Sequence, residues 1–482
     1  KAQSKTNSHH ADPRGMSEHG PSSAEPVSSR LASAESRFAP YQFGRLGFYA
    51  RTDATGDASK RATGLASSSL AGLGLAVLSS TALVNPVVAG NLLPTTGLVT
   101  SGSGSISTIN QGAGLQIKQN SQVLGISWNS FSIGAGNTVI FQQPNAQAVA
   151  INRVTGNSRS EIFGSLQANG QVFLLNPNGV LIARTAQIDT AAFIAASARE
   201  AQRDSTGRWT LSGLSDAAVV NQGQIKANGA GGFVVLAGAQ VSNEGSLQAS
   251  AGVALAAGES VSLALDNNQM LSVKVDGGKL KALVENKGLI LADGGAVYLT
   301  AAGRDQLLGG VVNNEGIIQA RSLENKQGRI ILSGLESGDV LNSGRLDVSG
   351  QVKGSKGGVV ALNGRRVAVT GQAVIDASAV AGGGRVVIGG DQLGKASDVI
   401  KVGLSDNTVI DKNAFIKIGS TQGDGGFVET SGHQLTMLGT VEGKSAGKNG
   451  QWLIDPNDVT IGTGATTNMS ANPFTPSGTG NG

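Results

Sequence analysis

The sequence predicts an all-β fold, a parallel β-helix in which short strands stack coil upon coil. Three observations predict it. Glycine makes up 71 of 482 residues, about double its usual share near 7%, and it favours tight turns over helices. Hydrophobic residues reach 39%, many of them Val, Ile and Leu, too many for a disordered chain. From residue 219 onward the chain repeats itself every 20–30 residues or so, roughly the period of a solenoid.

One repeating unit is apolar–Asn–x–Gly–x–apolar. It occurs at Asn221-Gln222-Gly223, Asn243-Glu244-Gly245, Asn286-Lys287-Gly288, Asn314-Glu315-Gly316 and Asn342-Ser343-Gly344. The steps between these asparagines are 22, 43, 28 and 28 residues, and the 43 reads as two steps with one unit degenerate. A second unit is glycine followed by an apolar strand, as in GGFVVLAG from Gly231, GGAVYLTAAG from Gly294, GGVVALNG from Gly357 and GGFVETSG from Gly425. No amphipathic helix separates the units, so leucine-rich and helical repeats fit poorly. Strand alternation points Val297 and Leu299 inward, with Ala296 and Tyr298 outward. Asn and Gly are expected to take left-handed backbone at the corners. At about 22 residues per coil, residues 90–430 would form roughly 15 coils and a rod of about 70 Å.

Residues 259–285 break the rhythm. Val261, Leu263 and Leu265 alternate, Asp266 to Gln269 turn, and Leu271, Val273 and Val275 alternate again. This predicts a hairpin attached to the rod, followed by a short helix over Lys279–Val284.

The two ends differ from the rod. Residues 1–64 are polar, rich in Ser, Ala, Arg and Pro, and read as an extended leader without a core. A translation start near Met16 or later would shorten it. Residues 65–89 follow Lys60 and Arg61 with the apolar run Leu70 to Val84 and the small-residue site Val87-Val88-Ala89. That is the order of a secretory signal peptide, cleaved after Ala89. The run is short of the ~20 residues a membrane span needs. Residues 463–482 are rich in Gly, Ser, Thr and Pro and read as a linker or disordered end.

Charge and chemistry exclude several functions. The leader holds nine Lys/Arg against six Asp/Glu, and the rest of the chain 28 against 27. The body is nearly neutral, without the basic footprint of a nucleic-acid binder. Cysteine is absent, so disulfides, thiolate nucleophiles and cysteine metal sites are impossible. Of four histidines only His433 lies outside the leader, too few for a triad or a histidine metal site. Gly443-Lys444-Ser445 lacks the spacing of a phosphate loop and reads as a polar turn. No cofactor and no catalytic residue are expected. Some β-helices degrade polysaccharides with clustered carboxylates, for which Asp276, Asp293 and Asp305 are the weak candidates here.

The segment from Asn91 to Ser197 is more specific. It begins NLLPTTGLVTSGSGSI, continues ISWNSFSIGAGNTVIFQQPNAQAVAINRVTG, and reaches SEIFGSLQANGQVFLLNPNGVLIA. It resembles the secretion domain of two-partner secretion exoproteins, the filamentous haemagglutinin family. The later segments VENKGLILADGGAVYLTAAG, GGVVNNEGIIQA, GGFVETSGHQL and QWLIDPNDVTIG resemble the high-molecular-weight adhesin branch. The resemblance implies a right-handed parallel β-helix with an amino-terminal strand cap and extra-helical hairpins. Its secretion domain would occupy residues 90–215, with further coils over 216–462. It implies export through the Sec machinery into the periplasm of a Gram-negative bacterium. A TpsB-type outer-membrane β-barrel transporter would then recognise the chain through its POTRA domains and release it at the cell surface. A host-cell receptor or glycan would be met by regions downstream. An adhesin or haemagglutinin is the first reading, and a cytolysin or contact-dependent toxin with the same secretion domain remains the alternative.

In that family two Asn-Pro-Asn motifs matter for secretion. The second matches Asn176-Pro177-Asn178-Gly179. The first corresponds to Gln143-Pro144-Asn145-Ala146, where Gln143 replaces the leading Asn. Arg184 likewise replaces an expected small residue after the second motif. Proline biases the preceding residue to extended backbone, and Asn178-Gly179 would supply a tight turn between the strands of Val172, Leu174, Val180 and Ile182. These residues either bind the transporter or only fold the turn.

Overall fold

The structure, a computed structural model, describes residues 92–304, 310–390 and 403–456. The leader, the signal-peptide region with Ala89, Asp305 and residues 463–482 lie outside the described residues.

The chain adopts the right-handed parallel β-helix expected, with its strand cap and extra-helical hairpins. From Val149–Val154 to Thr440–Glu442, each coil contributes one strand to each of three sheets. Sheet I has 13 strands, from Leu98–Ser101 to Gln451–Pro456, and sheet II has 13, from Gly104–Ile109 to Thr440–Glu442. Sheet III has ten, from Ser160–Ile162 to Gln434–Met437. Pairing is parallel except at the amino-terminal end. There Leu98–Ser101 runs antiparallel to Val123–Trp128, and Gly104–Ile109 antiparallel to Gly114–Gln119. These two strands cap the first coil. Gly97 is needed in the cap because a Cβ there would lie 2.4 Å from the ring of Trp128. Trp128 is itself buried and donates its indole N–H to Asn152 Oδ1 at 3.0 Å.

The interior is built by vertical stacking of like residues. In sheet II, Leu166, Ile188, Ile225, Leu247, Ile290 and Ile318 sit in register on successive strands, all buried. Val297 and Leu299 point into the same core, as the alternation requires.

Sheet I is buried on both faces over its early coils. A four-stranded antiparallel sheet of two hairpins covers its outer face: Glu200–Arg203 with Trp209–Ser212, and Ser260–Leu265 with Leu271–Asp276. Phe173, Ile194 and Val235 of sheet I pack there against Trp209, Leu211, Leu263 and Leu271. The Phe173 and Trp209 rings meet edge-on at 5.0 Å. Burial on two faces explains why the strands AFIAA, FVVLAG and GVALAA carry unbroken apolar runs rather than alternation.

The hairpin read at residues 259–285 is present. The helix over Lys279–Val284 is not: Lys281 takes φ 58°, and the strand Leu283–Asn286 begins at once. The hairpin also corrects the count of coils. Asn243 and Asn286 are direct neighbours in sheet III, so the 43-residue step is a single coil carrying the hairpin as an excursion. Twelve parallel strands, all of sheet I but the antiparallel Leu98–Ser101, replace the roughly 15 coils expected.

The repeated asparagines have another role than the one expected. None has left-handed backbone. All five are buried and form a ladder through the interior of the corner after sheet III. Each side-chain Nδ2 donates to the Oδ1 of the next: Asn221 to Asn243, Asn243 to Asn286 and Asn286 to Asn314 at 2.8 Å, and Asn314 to Asn342 at 2.7 Å. The glycine two residues on lies against the coil below. A Cβ at Gly245, Gly288, Gly316 or Gly344 would fall 2.1–2.2 Å from the carbonyl oxygen of the preceding repeat glycine. Close stacking, rather than positive φ, demands glycine at these positions.

Candidate recognition site

Asn176-Pro177-Asn178-Gly179 forms the corner between Gln171–Leu175 of sheet I and Val180–Ile182 of sheet III. The flanking residues Val172, Leu174, Val180 and Ile182 are all buried, but on strands of different sheets, so the turn is a coil corner and not a hairpin. Its centre is Pro177-Asn178, one residue earlier than expected. Gly179 N–H donates to Asn176 O at 2.9 Å, and Asn178 N–H donates to Asn176 Oδ1 at 2.9 Å. Proline suits the second position of such a turn, and Gly179 follows with φ +95°.

The polar groups of this corner are largely consumed within the fold. Asn176 is fully buried, and its Nδ2 donates to Ser158 O and Ser160 Oγ, both at 2.9 Å. Asn178 Nδ2 donates to Gly156 O at 2.8 Å. Ser215, 38 residues downstream, donates its hydroxyl to Pro177 O at 2.5 Å. The corner thus ties together the coils on either side of it. Arg184 sits exposed in the next turn.

The first motif is built differently. Its turn begins at Asn145: Gln147 N–H donates to Asn145 Oδ1 at 3.0 Å and Ala148 N–H to Asn145 O at 3.2 Å. Asn145, not Gln143, therefore does what Asn176 does in the second motif. Gln143 is buried in an amide cluster, its Nε2 donating to Gln119 Oε1 at 3.0 Å and Ala148 O at 2.9 Å. Asn169 clamps the backbone of Gln143 from both sides, accepting from its N–H and donating to its carbonyl, each at 2.7 Å. Pro144 and Gln147 are exposed, whereas every residue of the second motif is buried or half-buried. Sequence reading missed Gln119, Ser160, Asn169 and Ser215, which lie 16 to 38 residues from their partners. No local pattern marks them.

Of the carboxylates weighed for polysaccharide chemistry, the two within the described residues lie in different elements and pair with different partners. Asp276, on the cover sheet, pairs with Lys274 at 2.5 Å. Asp293, in a coil turn, accepts from Gln319 Nε2 at 2.9 Å and Arg321 N–H at 2.8 Å. Among the described residues no group of three or more His, Asp or Glu is arranged to hold a metal ion.

The sequence and the fold are similar to those of known proteins. A sequence model described as the TPS secretion domain matches residues 91–348. A heme/hemopexin-binding protein of Haemophilus influenzae is 37% identical over 269 residues, 54% of this chain and 29% of that protein. A second heme/hemopexin-binding protein of that species is 36% identical over 243 residues, 45% of this chain and 26% of that protein. The matches thus span under a third of the length of these relatives. The crystal structure of the HMW1 secretion domain from Haemophilus influenzae superposes with a TM-score of 0.62 at 28% identity, covering 75% of this chain and 100% of that one.

Proposed function

The chain belongs to the TPS secretion-domain family, and on that premise we propose that it is the secretion and fold-initiating part of an adhesin-type exoprotein. Proteins with this domain are secreted across the outer membrane of Gram-negative bacteria, each with a cognate TpsB transporter. The match over residues 91–348 carries the reading, supported by full coverage of the HMW1 secretion domain. In this reading residues 65–89 direct the chain through Sec, cleavage follows Ala89, and the transporter's POTRA domains receive the secretion domain.

The fold suits such export. With no cysteine and with each coil resting on the one before, the chain folds progressively without a covalent lock. The domain acts by binding and by folding, and no catalytic step is assigned to it. The decisive experiment expresses the chain with and without its cognate transporter and assays the medium. Transporter-dependent export is expected, and equal export without the transporter would sink the proposal. The heme/hemopexin-binding relatives favour a second reading for the whole protein. Haem titration of the full-length secreted protein, followed by its Soret absorbance, separates it from the adhesin reading.

A further inference from the structure

The secretion-domain match ends at residue 348, and the rod continues beyond it. Most of an open trough of about 500 Å³ lies on these later coils, along the corner between sheets II and I. It begins at Gln327 and passes the starts of the strands Val359–Asn363, Arg385–Ile388, Phe427–Gly432 and Gln451–Pro456. Four coil steps at the ~4.8 Å strand spacing make it roughly 19 Å long. Its floor is bare backbone. A Cβ at Gly357, Gly383 or Gly425 would fall 2.2–2.4 Å from the backbone nitrogen of Gly384, Gly426 or Gly450. Close stacking therefore demands glycine there and leaves the floor without side chains.

Two cations line the trough, Arg385 and Lys448. Among the described residues no carboxylate lies within ion-pair distance of either. Asp424 also lines it, with one carboxylate oxygen accepting the N–H of Lys448 at 2.8 Å. The Arg385 guanidinium sits 5.1 Å from the Phe427 ring centroid. Its Nε and Nη2, the two nitrogens of one edge, are closed off from water and have no hydrogen-bond partner. Arginine does not shed its proton, so this edge holds a charge and its donors unsatisfied. Gln327, Asn449 and Gln451 are exposed and bring amides to the walls.

We infer that the trough binds an acidic glycan, a chain of carboxylated, unsulfated sugars lying along the rod. The coil spacing is close to the length of one pyranose unit, so successive coils meet successive sugars. Arg385 turns from the Phe427 ring and presents its Nε–Nη2 edge, whose two parallel donors match the two oxygens of a carboxylate. Lys448 adds a second charge at the carboxyl-terminal end. The wall amides both donate to and accept from hydroxyl groups. The site goes beyond the secretion reading and does not rest on it, because binding needs the finished rod and no transporter.

Calorimetric titration of the purified, folded chain with hyaluronan oligosaccharides is the test. Binding is expected, weaker at high salt, while uncharged dextran should not bind. Arg385→Gln should weaken binding by about tenfold, and Lys448→Gln by about threefold. Arg385→Lys keeps the charge without the fork and should stay weakened. Lys226→Gln, which removes an exposed lysine from sheet II, should bind as the parent does. Arg385→Gln should also keep or raise the unfolding midpoint, since it removes an unpaired buried charge. If that variant unfolds, Lys448→Gln alone decides. No binding of hyaluronan, equal binding by both trough variants, or binding of dextran sulfate alone would overturn the assignment.

Discussion

Replacing Asn286 by alanine tests the asparagine ladder at its centre. Asn286 accepts from Asn243 Nδ2 and donates to Asn314 Oδ1, each at 2.8 Å, within a fully buried row. Truncation leaves both neighbours short of a partner. Asn243 Nδ2 keeps only a long contact of 3.5 Å to Gly245 O. A buried polar group without a partner costs about 1–3 kcal/mol, so two such groups cost about 2–6 kcal/mol. At the end of the ladder, Asn342→Ala strands only Asn314 Nδ2, and about 1–3 kcal/mol is expected. The ratio matters more than either value, because both substitutions create the same small void. Urea unfolding gives the total loss. Hydrogen exchange over residues 283–291 shows whether the damage is local, as a solenoid of nearest-neighbour contacts requires. Asn286→Asp adds a contrast: it cannot donate to Asn314 Oδ1 when ionised, so it should be worse than alanine at neutral pH and partly recover in acid. If Asn286→Ala costs no more than Asn342→Ala, the ladder is not a chain of coupled bonds.

Three further outcomes are expected. Asn176→Ala removes donations to Ser158 O and Ser160 Oγ and the acceptor for Asn178 N–H; it should lower stability by about 2–4 kcal/mol, read by urea unfolding, before any effect on secretion is scored. Ending the chain at residue 258 removes the second cover hairpin and uncovers the outer face around Phe173, Trp209 and Val235. That fragment should bind a hydrophobic dye and aggregate, whereas one ending at 304 should not. Burial pushes the Asp347 carboxyl up, but hydrogen bonds from the Ser349 hydroxyl and N–H and from Arg345, with the charge of Arg321, outweigh it and hold the carboxyl below its ordinary range. A depressed carboxylate contributes stability above its unfolded pKa of about 3.9, lost as pH falls through the lower folded value. The parent's unfolding midpoint should therefore drop steeply below about pH 4, and that of Asp347→Asn, lower at neutral pH, should drop less.

Much of the fold was legible in the residues because a β-helix repeats its chemistry. Asn-x-Gly and Gly-plus-apolar units recur wherever a corner or an inward strand recurs, and their spacing alone implied a solenoid. The cover hairpin was legible too, since its alternation differs from the unbroken apolar runs of sheet I. The length of a coil was not. A 43-residue interval can hold two coils or one coil with an excursion, and only the pairing of Asn243 with Asn286 separates them.

The chemistry of the candidate site divides in the same way. Residue types and order by themselves determined the all-β class, the stack of coils and the presence of a turn at Asn176 to Gly179, because turn formation depends on neighbours in the chain. Tertiary structure alone decided what such a turn is for. Whether the leading asparagine of a turn is buried in bonds to Ser158 and Ser160, as Asn176 is, or half-buried, as Asn145 is, depends on strands one coil or more away. The asparagine ladder has the same origin: its bonds join residues 22 to 43 positions apart, which meet only because the coils stack about 4.8 Å apart and in register.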